Sequence, residues 1–102
     1  MLDDNYLKVM VDHLNKLCYI ELGLIKDTVD SIISLNITDS KLIENTFDRM
    51  LNLLFIPVEE IEPTYFLLLD YYNCIDEEGS KAYRKYYYEY VSDEYETDEK
   101  KL

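Results

Sequence analysis

Residues 3–35 read DDNYLKVMVDHLNKLCYIELGLIKDTVDSIISL, and their apolar positions decide the fold class. Leu7, Met10, Val11, Leu14, Leu17, Cys18, Leu22, Ile25, Val29, Ile32 and Ile33 follow one another in steps of one, three and four. That is one stripe along a helix, not the alternation of a strand. The phase runs unbroken through Gly23. Two readings are compatible with a glycine there. One long helix tolerates it at a cost of about 1 kcal/mol relative to alanine, with a bend at that point; or Gly23 closes one helix and a second starts at Leu24 or Lys26. The continuous phase favours the single helix. Asp3 or Asp4 suits its start, because a carboxylate there accepts from free first-turn amides and complements the positive end of the helix dipole.

The rest of the chain reads as shorter helices of the same kind. NITDS (36–40) is a loop rich in capping residues, from which Ser40 or Asp39 starts a second helix reaching about Phe55. Its apolar face is Leu42, Ile43, Phe47, Met50, Leu51, Leu54 and Phe55. Pro57 disfavours helix at Ile56, and PVEEIE (57–62) is expected to connect, with room for a single helical turn. Pro63 fits the first position of a third helix running to Cys74 or Asp76. That helix is apolar on several sides, so it is central or covered by another chain. DEEG (76–79) ends it, and Ser80 is expected to cap a last helix reaching about Tyr95. The reading is an all-α antiparallel bundle of four helices, five if the first is broken, in one domain over 1–96 with a disordered acidic tail at 97–102. Only two Gly and two Pro punctuate the chain, too few for an all-β protein.

At 102 residues and 48% hydrophobic composition the chain can bury a core without staples. Cys18 and Cys74 sit in apolar helical patterns and read as free buried thiols. The start, MLDDNYLK, lacks the basic and apolar regions of a signal peptide, and no apolar run approaches a bilayer span, so the expected location is cytoplasmic. Net charge is −12, with 22 acids against 10 bases. Direct binding to nucleic acid or to an anionic membrane is disfavoured, and a basic protein partner is favoured.

Little in the sequence supports catalysis. His13 is the only histidine, which removes a histidine-based metal cluster, and the two cysteines form no CxxC pair. Two glycines cannot make a P-loop or a dinucleotide fingerprint. The carboxylate groups Glu59-Glu60-Glu62 and Asp76-Glu77-Glu78 lack the alternating spacing of a calcium loop. The expectation is a non-enzyme with no catalytic, cofactor or metal residues.

Six of the eleven tyrosines, Tyr83, Tyr86, Tyr87, Tyr88, Tyr90 and Tyr95, fall within thirteen positions. Tyr83, Tyr86, Tyr87 and Tyr90 keep helical phase and read as a core stripe with Val91. Tyr88 falls on the opposite side, and a small bundle cannot bury Tyr65, Phe66, Tyr71 and Tyr72 together. The i, i+4 pairs Glu77–Lys81 and Lys85–Glu89 absorb some charge. Glu89, Asp93 and Glu96 remain as an acid row of roughly 10 Å, on a helix rising 1.5 Å per residue. Residues 57–102 hold 13 acids against 5 bases, and residues 1–56 hold 9 against 5. The candidate partner-binding set is Tyr71, Tyr72 and Tyr88 as anchors, with Asp76, Glu77, Glu78, Glu89, Asp93 and Glu94 as charge partners.

An acid array on rigid helices is similar to the small acidic inhibitors by which phages and bacteria block nucleic-acid enzymes: anti-restriction proteins, anti-CRISPR proteins and bacteriocin immunity proteins. Asp70-Tyr71-Tyr72 resembles the acid and paired-tyrosine surface of nuclease immunity proteins, though the rest of the chain departs from that pattern. The expected function is inhibition or regulation of a basic, nucleic-acid-handling protein by mimicry of nucleic acid. The alternative is a helical adaptor or homo-oligomer, a homodimer included, that uses the apolar helix 63–75 as its interface.

Overall fold

The structure, a computed structural model, describes the backbone of residues 4–53 and 56–99 and the side chains of 5–53 and 56–92. Four helices follow one another: α1 (Asp4–Ser34), α2 (Ser40–Leu51), α3 (Val58–Asn73) and α4 (Glu77–Glu99), with no strand among the described residues. Residues across α3 and α4 pair in opposite sense, Glu62 with Tyr87, Tyr65 with Tyr83 and Leu69 with Ser80, so the two run antiparallel.

α1 is continuous through Gly23. It ends because Asn36 takes a left-handed conformation (φ 55°), which lets the Ile37 and Asn36 amides donate to the carbonyls of Ile32 and Ile33. Ile37, just past the cap, packs back on the core. Asp39 caps α2 by accepting from the amides of Lys41 and Leu42. α2 stops at Leu51, short of Phe55, and Leu53 and Ile56 fill the core end from outside the helix. Leu54 and Phe55 lie outside the described residues.

Two starts differ from expectation. α3 begins at Val58 behind Pro57 and carries Pro63 inside it, where 57–62 was expected to connect. Val58 and Ile61 are buried in phase with Tyr65, Leu68 and Tyr72. Burying two such side chains is worth about 1.5–3 kcal/mol each, enough to offset an interior proline at about 3 kcal/mol. α4 begins at Glu77, because the Asp76 carboxylate accepts from the Gly79 amide. Ser80 is buried within the helix and donates to the Leu69 carbonyl. α4 also continues to Glu99, past the expected end near Tyr95. Acids at a helix C-terminus cost about 0.3–1 kcal/mol each, too little to force an end. Of the expected tail, 100–102 lie outside the described residues.

α3 is the central helix and packs on all three others, whereas α1 and α4 share no packing contact among the described residues. Tyr65, Leu68, Leu69 and Tyr72 of α3 are fully buried. They meet Ile25, Val29 and Ile32 of α1, Ile43, Phe47 and Met50 of α2, and Tyr87 of α4 in one core. Phe47 is the aromatic hub, with its ring centroid 4.9 Å from Tyr65 and 4.8 Å from Tyr83. No helix among the described residues is long and apolar enough to cross a membrane.

Candidate functional site

The tyrosines and the acids largely satisfy one another inside the fold. Tyr72 donates to Glu44 at 2.6 Å, Tyr83 to Asp48 at 3.0 Å and Tyr87 to Glu62 at 3.0 Å. Tyr65 donates to the Tyr83 carbonyl and Tyr71 to that of Ile37. Burial and the Glu44 carboxylate push the Tyr72 hydroxyl up to about 12. The Tyr65 hydroxyl is raised chiefly by burial, and that of Tyr83 by burial and by Asp48. A buried phenol is tolerated only when its hydroxyl has a partner, and carboxylates at the bundle rim supply several.

This placement breaks up the candidate set. Tyr72 is wholly buried and Tyr71 half-buried, so neither is an exposed anchor, and of Asp70-Tyr71-Tyr72 only Asp70 is exposed. On α3, offered as an apolar interface, the bundle itself covers most of that face and leaves Leu67 outside. Asp76 caps α4. Glu77 and Glu78 flank Lys81, at 3.2 and 3.8 Å, and Glu89 is 4.0 Å from Lys85. Tyr88 is exposed, edge-on to Phe66 and Tyr87. Tyr86, expected in the core stripe, is also exposed and stands edge-on to Tyr83. The side chains of Asp93 and Glu94 lie outside the described residues.

The larger uncovered surface is on α1. From Leu22 onward its inward positions are sealed by α2 and α3. Toward its start the same stripe continues as Leu7, Met10, Val11, Leu14 and Leu17, with Val9 and Ile20 on the opposite face, and each is between 41% and 66% exposed. The cause is length. α1 has 31 residues, while α2 has 12 and α3 has 16. At 1.5 Å per residue α1 is about 46 Å long against about 18 and 24 Å, so its first half projects as an arm. Contiguous apolar patches of this kind mark interaction surfaces.

Where the arm joins the body, a cleft of about 550 Å³ opens between Leu14, Leu17, Cys18 and Leu53. Arg49 closes its edge by gripping Glu21 with two hydrogen bonds, at 3.0 and 3.1 Å. The guanidinium holds the Glu21 carboxyl below its usual range. Tyr19 donates to Glu60 and ties the arm to α3. A second cleft, also about 550 Å³, lies across α2 and is lined by Asp39, Glu44, Asp48 and Tyr83, with Lys41 as its one base. Among the described residues no group of His, Cys, Asp or Glu is placed to hold a metal ion.

Comparison with protein-family models, with curated proteins and with solved structures finds no match to this chain. The sequence did hold the signal for the arm: an apolar stripe from Leu7 to Ile33, longer than any of the three helices that follow.

Proposed function

We propose that this protein works by binding other proteins rather than by catalysis, and that the projecting half of α1 is its docking surface. The observation that carries this reading is that Leu7, Met10, Val11, Leu14 and Leu17 are left open along one face of the arm, while the same stripe is buried from Leu22 onward. Leaving that area in water forgoes roughly 25 cal/mol per Å², a standing driving force for association. Capture from an extract of the native cell with the wild-type chain and with Leu14→Glu tests it. The wild type should retain at least one protein, another copy of itself included, that the variant loses. Identical recoveries would remove the arm from the reading.

The acid-lined cleft of α2 favours a second reading: inhibition or regulation of a basic, nucleic-acid-handling protein. Three carboxylates converge there beside Tyr83 and the exposed ring of Tyr86. An interaction steered by such charge weakens as salt rises, unlike an apolar one. Capture at low and at moderate salt separates the two, and recovery of no basic or nucleic-acid-binding protein at low salt would sink this second reading.

A further inference from the structure

We propose that the apolar arm of α1 is covered by a second copy of this chain, the two arms lying antiparallel about a two-fold axis between Val11 and Leu14. The inference rests on the docking reading and supplies its occupant.

The first ground is spacing. Leu7, Val11, Leu14 and Cys18 step by four, three and four, the seam of two helices that interdigitate side by side. Turning one arm over about an axis midway along this seam brings Val11 of one copy against Leu14 of the other, and Leu7 against Cys18, which is half-buried where the arm meets its own core. Each seam residue then faces an apolar one, and one patch serves both copies, as a two-fold interface requires. Met10 and Leu17 widen the contact on one flank, while Lys8 and Asn15 keep the other flank polar.

The second ground is charge. The chain carries −12, yet residues 4–21 hold only Asp4, Asp12 and Glu21 against Lys8 and Lys16, a net −1. Glu21 is moreover paired with Arg49. A basic partner would gain little from so neutral a surface, whereas two strongly acidic molecules can meet there without setting their acidic faces together. Charge also selects the orientation. Antiparallel arms set the two acidic bodies at opposite ends of a contact about 27 Å long, over three Debye lengths at physiological salt. Parallel arms would set them side by side.

The third ground is area. Half the accessible surface of an 18-residue helix about 10 Å wide is roughly 500 Å² per copy, so the pair hides about 1,000 Å², the lower bound for a specific interface. A reversible dimer is expected rather than an obligate one.

Sedimentation equilibrium of the full chain, from low micromolar to submillimolar, tests this. The mass should approach twice 12.2 kDa and should not fall as salt is raised. Leu14→Glu should require at least tenfold more protein to dimerise, with its helical circular dichroism unchanged. Orientation is read in a Cys74→Ser background: a thiol introduced by Leu7→Cys should cross-link under mild oxidation to Cys18 of the other copy. A single-chain mass at every concentration, a dimer indifferent to Leu14→Glu, or cross-links only between like positions would each overturn the proposal. If the chain is monomeric, an apolar dye separates the two failures. Dye uptake that Leu14→Glu abolishes leaves the docking reading standing with another occupant; no uptake by the wild type overturns both.

Discussion

The two glycines make opposite demands on their positions. A Cβ built on Gly23 meets nothing within 4 Å, whereas one on Gly79 would lie 2.7 Å from the Tyr72 hydroxyl oxygen. Gly23 therefore costs the helix backbone entropy and gives nothing back, while Gly79 is the notch in α4 that lets a fully buried tyrosine fit. Gly23→Ala should raise unfolding stability by about 0.5–1 kcal/mol. Gly79→Ala should lower it by about 1–3 kcal/mol as an overpacked site. Urea titration of both variants checks the pair, and equal signs would contradict the geometry. The helical phase across Gly23 was readable in the sequence. Gly79 was not: after Asp76-Glu77-Glu78 it reads as a helix end, and only the ring packed against it from α3 shows its purpose. Asn15 is similar. Its Oδ1 is buried with no hydrogen-bond partner among the described residues, a cost that no pattern in the sequence announces.

At the scale of the element, periodicity predicted helices better than punctuation predicted their ends. In the sequence Pro63 fits a first-turn position, because proline is tolerated there. In the structure it is the sixth residue of α3, where its ring displaces the hydrogen bond to the Glu59 carbonyl. Val58 and Ile61 pull the helix back past it by their burial. Pro63→Ala should therefore stabilise the fold, by about 1–3 kcal/mol once the entropy that proline removes from the unfolded chain is allowed for. Chemical denaturation measures this, and a loss of stability would mean that the proline sets an angle the core requires. Element lengths carry the functional consequence. Because α2 and α3 are short, they leave most of the first half of α1 uncovered among the described residues, and its stripe becomes a surface instead of a core.

Across the whole molecule, tyrosine richness and acidity turn out to be partly one feature. α2, α3 and α4 are tied together by phenol–carboxylate bonds, Tyr72 to Glu44, Tyr83 to Asp48 and Tyr87 to Glu62. These bonds make the fold sensitive to high pH. The folded state holds the Tyr72 proton up to about 12, against 10.0 for a free phenol, and the protons of Tyr65 and Tyr83 are held in the same direction. The unfolded chain gives up its protons first, so stability is full below about pH 10 and falls as pH rises from there through about 12. Urea midpoints should drop between about pH 8 and about pH 11, and Tyr72→Phe should flatten the drop. A midpoint that stays level in the wild type would contradict this. The sequence by itself determined that the chain is helical and that its core is rich in tyrosine, because period and composition are local properties. It also determined that the chain is strongly acidic. Only the tertiary structure decided which tyrosines are surface and which acids are already engaged. It also decided that the open apolar face lies on α1 rather than α3. Burial depends on what packs across from a residue, and that partner is set by the lengths and order of the other helices.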